Sequence, residues 1–206
     1  RNHSSAASDV YKRQALSKYT GWGGLRNAIY QPDIYQKMRS CLSSKEIESI
    51  KGTVKTAYYT PDVLVKFIYA MLDTFNIKPT SILEPSAGHG VFFKNMPDKY
   101  RKSTIYAFEP DLVTFGILKS CYADIHAKCM RFEEYQESTK FDLIVGNPPY
   151  GQIYVNDSKH ADIAECSIHH YFVAKCMRFL QPNGVLAMVL PRYFMDASKK
   201  HVRNII

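Results

Sequence analysis

The chain has 206 residues, 46% apolar, 13% aromatic and 22% charged, with a formal net charge of +8. That composition supports one packed domain and excludes a disordered chain, while the basic surplus is compatible with a polyanionic partner without identifying one. No apolar run approaches the roughly 20 residues that cross a bilayer and no secretory signal opens the chain, so a membrane or exported protein is disfavoured and a cytoplasmic one, in a bacterial or phage-infected cell, is expected.

Asp9-Val10-Tyr11-Lys12-Arg13-Gln14 reads back to GAT-GTG-TAT-AAG-AGA-CAG, the transposon end used to fragment DNA for sequencing. Residues 1–14 are therefore read as translated adapter and set aside, and the basic excess survives without them. Residues 15–55 read as a helical extension carrying Tyr19-Thr20-Gly21-Trp22-Gly23-Gly24-Leu25 around the single tryptophan, which anchors a turn or contacts DNA. Residues 56–206 read as the main domain, and the natural protein is expected to continue past Ile206. Thr60 caps a predicted helix with Pro61 in its first turn, and Leu64, Phe67, Ile68, Met71, Leu72 and Phe75 recur as one apolar stripe.

Short strands then alternate with helices. Ser81–Pro85 is a strand followed by a glycine loop, Thr104–Phe108 a second strand, Asp111–Tyr122 a helix, Ile125–Met130 a weaker strand and Phe141–Val145 a clear fourth. Cys166–Leu180 is helical with Ile168, Phe172 and Phe179 inward. Pro182-Asn183-Gly184 turns into Val185–Leu190, an apolar run of the kind buried on both faces. The order predicts an α/β fold with a doubly wound, mostly parallel sheet. The five cysteines and seven histidines show no metal-ligand spacing, so no metal is expected. Lys199 and Lys200 read as a solvated end.

In such sheets ligands bind at the carboxyl ends of strands, near the switch in strand order. Glu84-Pro85-Ser86-Ala87-Gly88-His89-Gly90 falls there. Gly88 and Gly90 permit close backbone approach, but Phe93 stands where a dinucleotide fingerprint needs a small residue, and Glu84 would repel a pyrophosphate. The loop suits a phosphate-free ligand with a cationic part; a plain tight turn is the alternative. Glu109, after Tyr106-Ala107-Phe108, can accept both hydroxyls of a ribose or be a surface carboxylate before Pro110. Asn147-Pro148-Pro149-Tyr150 follows the fourth strand. Its prolines lock φ and remove two donors, leaving the Asn147 amide oxygen and the Pro148 carbonyl as fixed acceptors beside an aromatic ring. A planar amino group on a base needs that arrangement.

These motifs resemble the class I S-adenosylmethionine-dependent methyltransferases that act on exocyclic amino groups, which have a Rossmann-like fold. Thr56-Ala57-Tyr58-Tyr59-Thr60-Pro61 resembles the segment that closes over the methionine end of the cofactor in gamma-type N6-adenine DNA methyltransferases. Tyr19–Leu25, His169-His170-Tyr171-Phe172 and Leu180–Gly184 resemble methylase domains of very large phage and plasmid proteins that also carry a helicase-like region. The resemblance covers residues 15–206 and implies a C-terminally truncated fold of this kind. It implies S-adenosylmethionine as cofactor and a flipped DNA adenine as substrate, with Asn147, Pro148, Pro149 and Tyr150 catalytic. By the same resemblance Gly88, Gly90 and Glu109 hold the cofactor, Glu84 lies near its amino group, and Tyr59 and Thr60 approach its methionine part. Glu133, with Glu134 as its neighbouring alternative, meets the cofactor adenine; Phe172 lines that pocket or fills the core; Asp142, placed at the end of the fourth strand, orients the active loop. His89 is expected to be a loop residue. The alternatives are methylation of a guanine N2 in RNA or a glutamine amide in protein, a non-catalytic DNA-binding module, and a nicotinamide-dependent oxidoreductase, against which Phe93 and Asn-Pro-Pro-Tyr both count.

Overall fold

The computed structural model describes residues 14–16, 18–25, 27–56, 59–151 and 155–196. The adapter-like residues 1–13, Ala57 and Tyr58 of the closing segment, and the Lys199-Lys200 pair lie outside them. Five parallel strands, β1 (Ser81–Glu84), β2 (Thr104–Phe108), β3 (His126–Lys128), β4 (Phe141–Gly146) and β5 (Leu180–Met188), form one sheet in the order β3-β2-β1-β4-β5. The chain works outward from β1 to β3, then returns to the other side of β1 with β4. The switch point therefore lies between β1 and β4.

Successive residues of a strand point to opposite faces, so both faces need apolar side chains if both are covered. Here Ile82, Ala107, Leu143 and Val185 face a cluster built from α3 (Asp62–Thr74), α4 (Val91–Lys94) and α5 (Leu112–Cys121). Their neighbours Leu83, Phe108, Ile144 and Leu186 face a second cluster built with α6 (Ala161–Ala164) and α7 (Ile168–Phe179). The expected doubly wound architecture follows from that alternation. A third cluster joins α1 (Pro32–Cys41) and α2 (Ser44–Thr53) through Met38, Ile47 and Ile50, with Trp22 packed against it. A capping box starts α2: Glu46 N donates to Ser43 Oγ, and Ser43 N to Glu46 Oε2.

Several expected boundaries and faces change. Pro61, not Thr60, caps α3, and no side chain bonds the cap; Thr60 is buried elsewhere. The buried face of α3 is Val65, Tyr69 and Leu72, while Phe67, Met71 and Phe75 of the predicted stripe are 59%, 45% and 70% exposed. Two apolar series overlap on this helix, and periodicity alone does not choose between them. Tyr69 decides it, packing its ring 5.5 Å from Tyr100 and 6.5 Å from Phe92. The strand predicted from Val185 begins at Leu180, because residues 181–184 form a bulge: Leu180 pairs with Phe141 and Val185 with Leu143. Asn183 takes a φ of 65° there, and a side chain on Gly184 would meet the Phe141 carbonyl at 3.0 Å. At the edge of the sheet among the described residues, β5 is half-buried rather than enclosed on both faces.

Asp142 is also corrected. It stands near the start of β4, so about 16 Å of strand separates it from Asn147. Its Oδ2 accepts from Thr80 N at 2.8 Å, Thr80 Oγ1 at 2.6 Å and Ser81 N at 3.0 Å, splicing the amino ends of β1 and β4. Those bonds hold its carboxyl below the usual range. Asp142→Ala is expected to cost about 1–2 kcal/mol, a fall of about 4 °C in melting temperature, with ligand affinity at the opposite end of the sheet unchanged. Thermal melting and calorimetry check both halves.

Candidate active site

A cavity of about 960 Å³, counting its open mouth, lies across the carboxyl ends of β1, β2 and β4. It lies at the place the topology favours for a ligand. The glycine loop forms its floor. Gly88 and Gly90 adopt φ of 55° and 92°, a region open to glycine. A Cβ on Gly90 would lie 2.5 Å from the Tyr122 ring, and one on Gly88 3.2 Å from the Tyr59 ring. Ala87 N donates to Phe108 O at 2.9 Å, which ties the loop to the end of β2.

Glu109 holds this floor to the next wall. Its Oε2 accepts from Gly88 N at 2.9 Å and its Oε1 from Asp111 N at 2.8 Å. A carboxylate has about four acceptor sites, so about two remain for a ligand. Asp111 in turn caps α5, accepting from Thr114 N at 2.8 Å. Burial pushes the Glu109 carboxyl up to about 7 against the pull of its two backbone donors. Glu84 is 1% exposed, and its Oε2 has no hydrogen-bond partner among the described residues. Burial, reinforced by the Glu109 charge, raises it well above the usual carboxylate range.

The Asn-Pro-Pro-Tyr loop enters from β4, beside the glycine loop. Ser86 Oγ donates to the Asn147 backbone carbonyl at 2.9 Å, joining the two loops across the switch point. Asn147 and Pro149 line the cavity, and Pro148 between them is buried. The Tyr150 ring stands beside the cavity, meeting the His169 ring edge-on at 4.7 Å, and Tyr150 N donates to Thr56 O at 3.5 Å.

Among the other sequence-expected residues, Tyr59, Thr60, Glu84, Gly88, Glu109, Glu133 and Phe172 line the cavity. Gly90 supports the loop from behind. Asp142 is remote from the cavity. Glu133 separates from Glu134 here: the first faces the cavity, while Glu134 is exposed and accepts from Arg131 N at 3.1 Å. Phe172 lines the cavity and packs into the core with its ring 5.2 Å from Phe132. His89 lies outside the lining, between the Tyr19 and Tyr59 rings. Trp22 and Thr56, from two segments the sequence had marked, also line the cavity, and so does Thr53 of α2, which no motif announced. Tyr59 fits against Gly21, where a Cβ would overlap its ring at 1.7 Å, so Gly21 is the feature of the Gly-Trp-Gly segment that made this wall findable. Among the charged groups of the lining, the carboxylates of Glu84, Glu109, Asp111 and Glu133 are opposed by Arg131 alone, and the Phe132–Ile168–Phe172 side is apolar. Among the described residues no group of three or more His, Cys, Asp or Glu is placed to hold a metal ion. No helix among them is long and apolar enough to cross a membrane.

Residues 119–206 match the sequence model of the family described as Eco57I restriction-modification methylase. The chain is 31% identical over 140 residues to Type II methyltransferase M.CvrRI of Paramecium bursaria Chlorella virus XZ-6E, covering 65% of this chain and 35% of that protein. It is 24% identical over 193 residues to Defense against restriction protein B of Escherichia phage P1, covering 91% of this chain and 7% of that very long one. A modification subunit of a putative type I restriction enzyme from Vibrio vulnificus YJ016 shares the fold, with a TM-score of 0.57 at 17% identity over 84% of this chain and 41% of that one. The chain thus spans well under half the length of these relatives. It has the class I methyltransferase fold and is similar in sequence to methylases of restriction-modification systems.

Proposed function

We propose that this chain binds S-adenosylmethionine in the cavity and directs its methyl group to the N6 amino group of a DNA adenine. The observation that carries the reading is the junction of the two loops: Ser86 and Asn147 fix the Asn-Pro-Pro-Tyr acceptors beside the acidic floor of Glu84 and Glu109. The lining suits that cofactor. Glu84, buried with an unpartnered oxygen, needs a cationic or donating neighbour, and the remaining Glu109 acceptor sites suit two ribose hydroxyls. The apolar Phe132–Phe172 side suits a planar base, with Glu133 at its edge.

When bound, S-adenosylmethionine supplies an electrophilic methyl group on sulfur. The chain's own part is orientation. An adenine amino nitrogen shares its lone pair with the ring and is a poor nucleophile. Asn147 Oδ1 and Pro148 O accept its two hydrogens, favour a pyramidal nitrogen and stabilise the positive charge that develops there. Alignment of the reacting atoms supplies much of the remaining acceleration, and no strong base is required. The base is out of reach in a duplex, so it is flipped, with Tyr150 as its stacking face. The basic surplus favours the DNA backbone.

The test is product identity. With methyl-labelled S-adenosylmethionine and adenine-containing oligodeoxynucleotides, label is expected in N6-methyl-2′-deoxyadenosine after digestion; label in another nucleoside or in protein would replace this reading. A pH prediction accompanies it. Ionised Glu109 is the better acceptor of two hydroxyls, so cofactor affinity should rise with pH through about 7, by up to about tenfold per unit below it, and Glu109→Gln should flatten the profile. Stability of the ligand-free protein should move oppositely. The folded Glu109 carboxyl is raised above its unfolded value of about 4.3, so its contribution is full below that value and lost as pH rises through about 7. Calorimetry and melting across pH 5–9 read both trends.

A further inference from the structure

Beyond the cavity, the least expected feature is a lysine and an aspartate buried together. Lys175, on α7, and Asp157, on the chain that follows the Asn-Pro-Pro-Tyr loop, have fully buried side chains. Lys175 Nζ donates to Asp157 Oδ2 at 2.8 Å, to Phe132 O at 2.8 Å and to Glu133 O at 3.1 Å. Asp157 Oδ2 also accepts from Tyr171 OH at 2.5 Å and lies 3.0 Å from His160 Nδ1; its Oδ1 accepts from Gln136 Nε2 at 3.3 Å and His160 N at 3.2 Å. Gln136 Nε2 donates again to Glu133 O at 2.8 Å. Every donor and acceptor of the pair is engaged. Burial alone would raise the Asp157 carboxyl, but the bonds from Lys175, Tyr171 and Gln136 reverse this and hold it well below the usual range.

An ion pair taken wholly out of water is seldom the most stable filling for a core, since apolar groups of similar volume often do as well or better. Its bonds instead point to one place. Two of them, joined by one from Gln136, end on the carbonyls of Phe132 and Glu133, the short turn whose side chains form the cavity wall, and neither Lys175 nor Asp157 lines the cavity. The same network fixes Asp157, two residues after Val155, which packs into the second cluster. We propose that Asp157 and Lys175 are positioning residues that set the Phe132–Glu133 wall of the cofactor cavity and couple it to residues 155–157. This rests on the cofactor reading above.

The test separates positioning from stability. Lys175→Met alone strands a buried carboxylate and is expected to melt well below the parent. The variant Asp157→Leu/Tyr171→Phe/Lys175→Met removes every charge and hydroxyl of the core of the network, and its melting temperature should return close to the parent's. With stability restored, amide hydrogen exchange across residues 131–136 should remain at least tenfold faster than in the parent, with α7 still protected, and the S-adenosylmethionine Kd at least tenfold weaker. Parent-like exchange and affinity in the triple variant would overturn the proposal and leave the pair a structural filling. Fast exchange with parent-like affinity would overturn its link to the cofactor. If the triple variant melts as low as Lys175→Met, the network is needed for folding itself and the positioning role is rejected. A parent protein that binds no S-adenosylmethionine would instead refute the cofactor reading, and this proposal with it.

Discussion

Asn147→Ala is expected to lower the rate of methyl transfer about a thousandfold or more while changing cofactor affinity less than about threefold. The size follows from the role: removing one oriented group that stabilises charge in a transition state typically costs about 10²–10³ in rate, and here the same atom also orients the nucleophile's lone pair. The selectivity follows from the geometry. The bond that joins the two loops runs from Ser86 Oγ to the Asn147 backbone carbonyl, not to its side chain, so the loop keeps its place in the variant. Pro148 and Pro149 hold their φ regardless. Single-turnover rates alongside calorimetric titration separate the two effects. Equal transfer by variant and parent would remove Asn147 from the mechanism.

Glu109→Ala is expected to do the reverse, weakening cofactor binding by about 10²- to 10³-fold. Two charge-assisted bonds to ribose hydroxyls, each contributing about 1.5–3 kcal/mol, bracket that range once losses elsewhere are allowed for. The substitution also strands Gly88 N and Asp111 N, which loosens the glycine loop and the start of α5 together. Folding should suffer less than binding, because a buried carboxyl with a raised pKa carries its own desolvation cost in the ligand-free protein. An unchanged dissociation constant would refute the ribose role.

How much of this was legible beforehand depended on whether the controlling interactions were local. Strands β1, β2 and β4 stand out because a parallel strand covered on both faces must be apolar throughout, and Leu83–Ile82, Phe108–Ala107 and Ile144–Leu143 each serve two cores. Strand ends carrying Gly88, Glu109 and Asn147 stand out because loops that approach a ligand need glycine, proline and fixed acceptors. The buried side of α3 was not legible, since Phe67 and Phe75 are as apolar as the residues that won. Asp142 was misplaced by counting it with the end of its strand; its bonds to Thr80 and Ser81 join chain segments far apart in sequence, which no local pattern encodes. Trp22 and Thr53 reach the cavity for the same reason. Lys175 was invisible, because a lysine on an amphipathic helix reads as a solvated position until the fold buries it.

Every role proposed for these residues depends on S-adenosylmethionine occupying the cavity. Titration calorimetry of the chain with that cofactor, alongside a nicotinamide dinucleotide control, tests it directly. Saturable, one-to-one binding of S-adenosylmethionine alone is the predicted result. A sample that melts cooperatively yet takes up no S-adenosylmethionine, or that binds the dinucleotide instead, would contradict it.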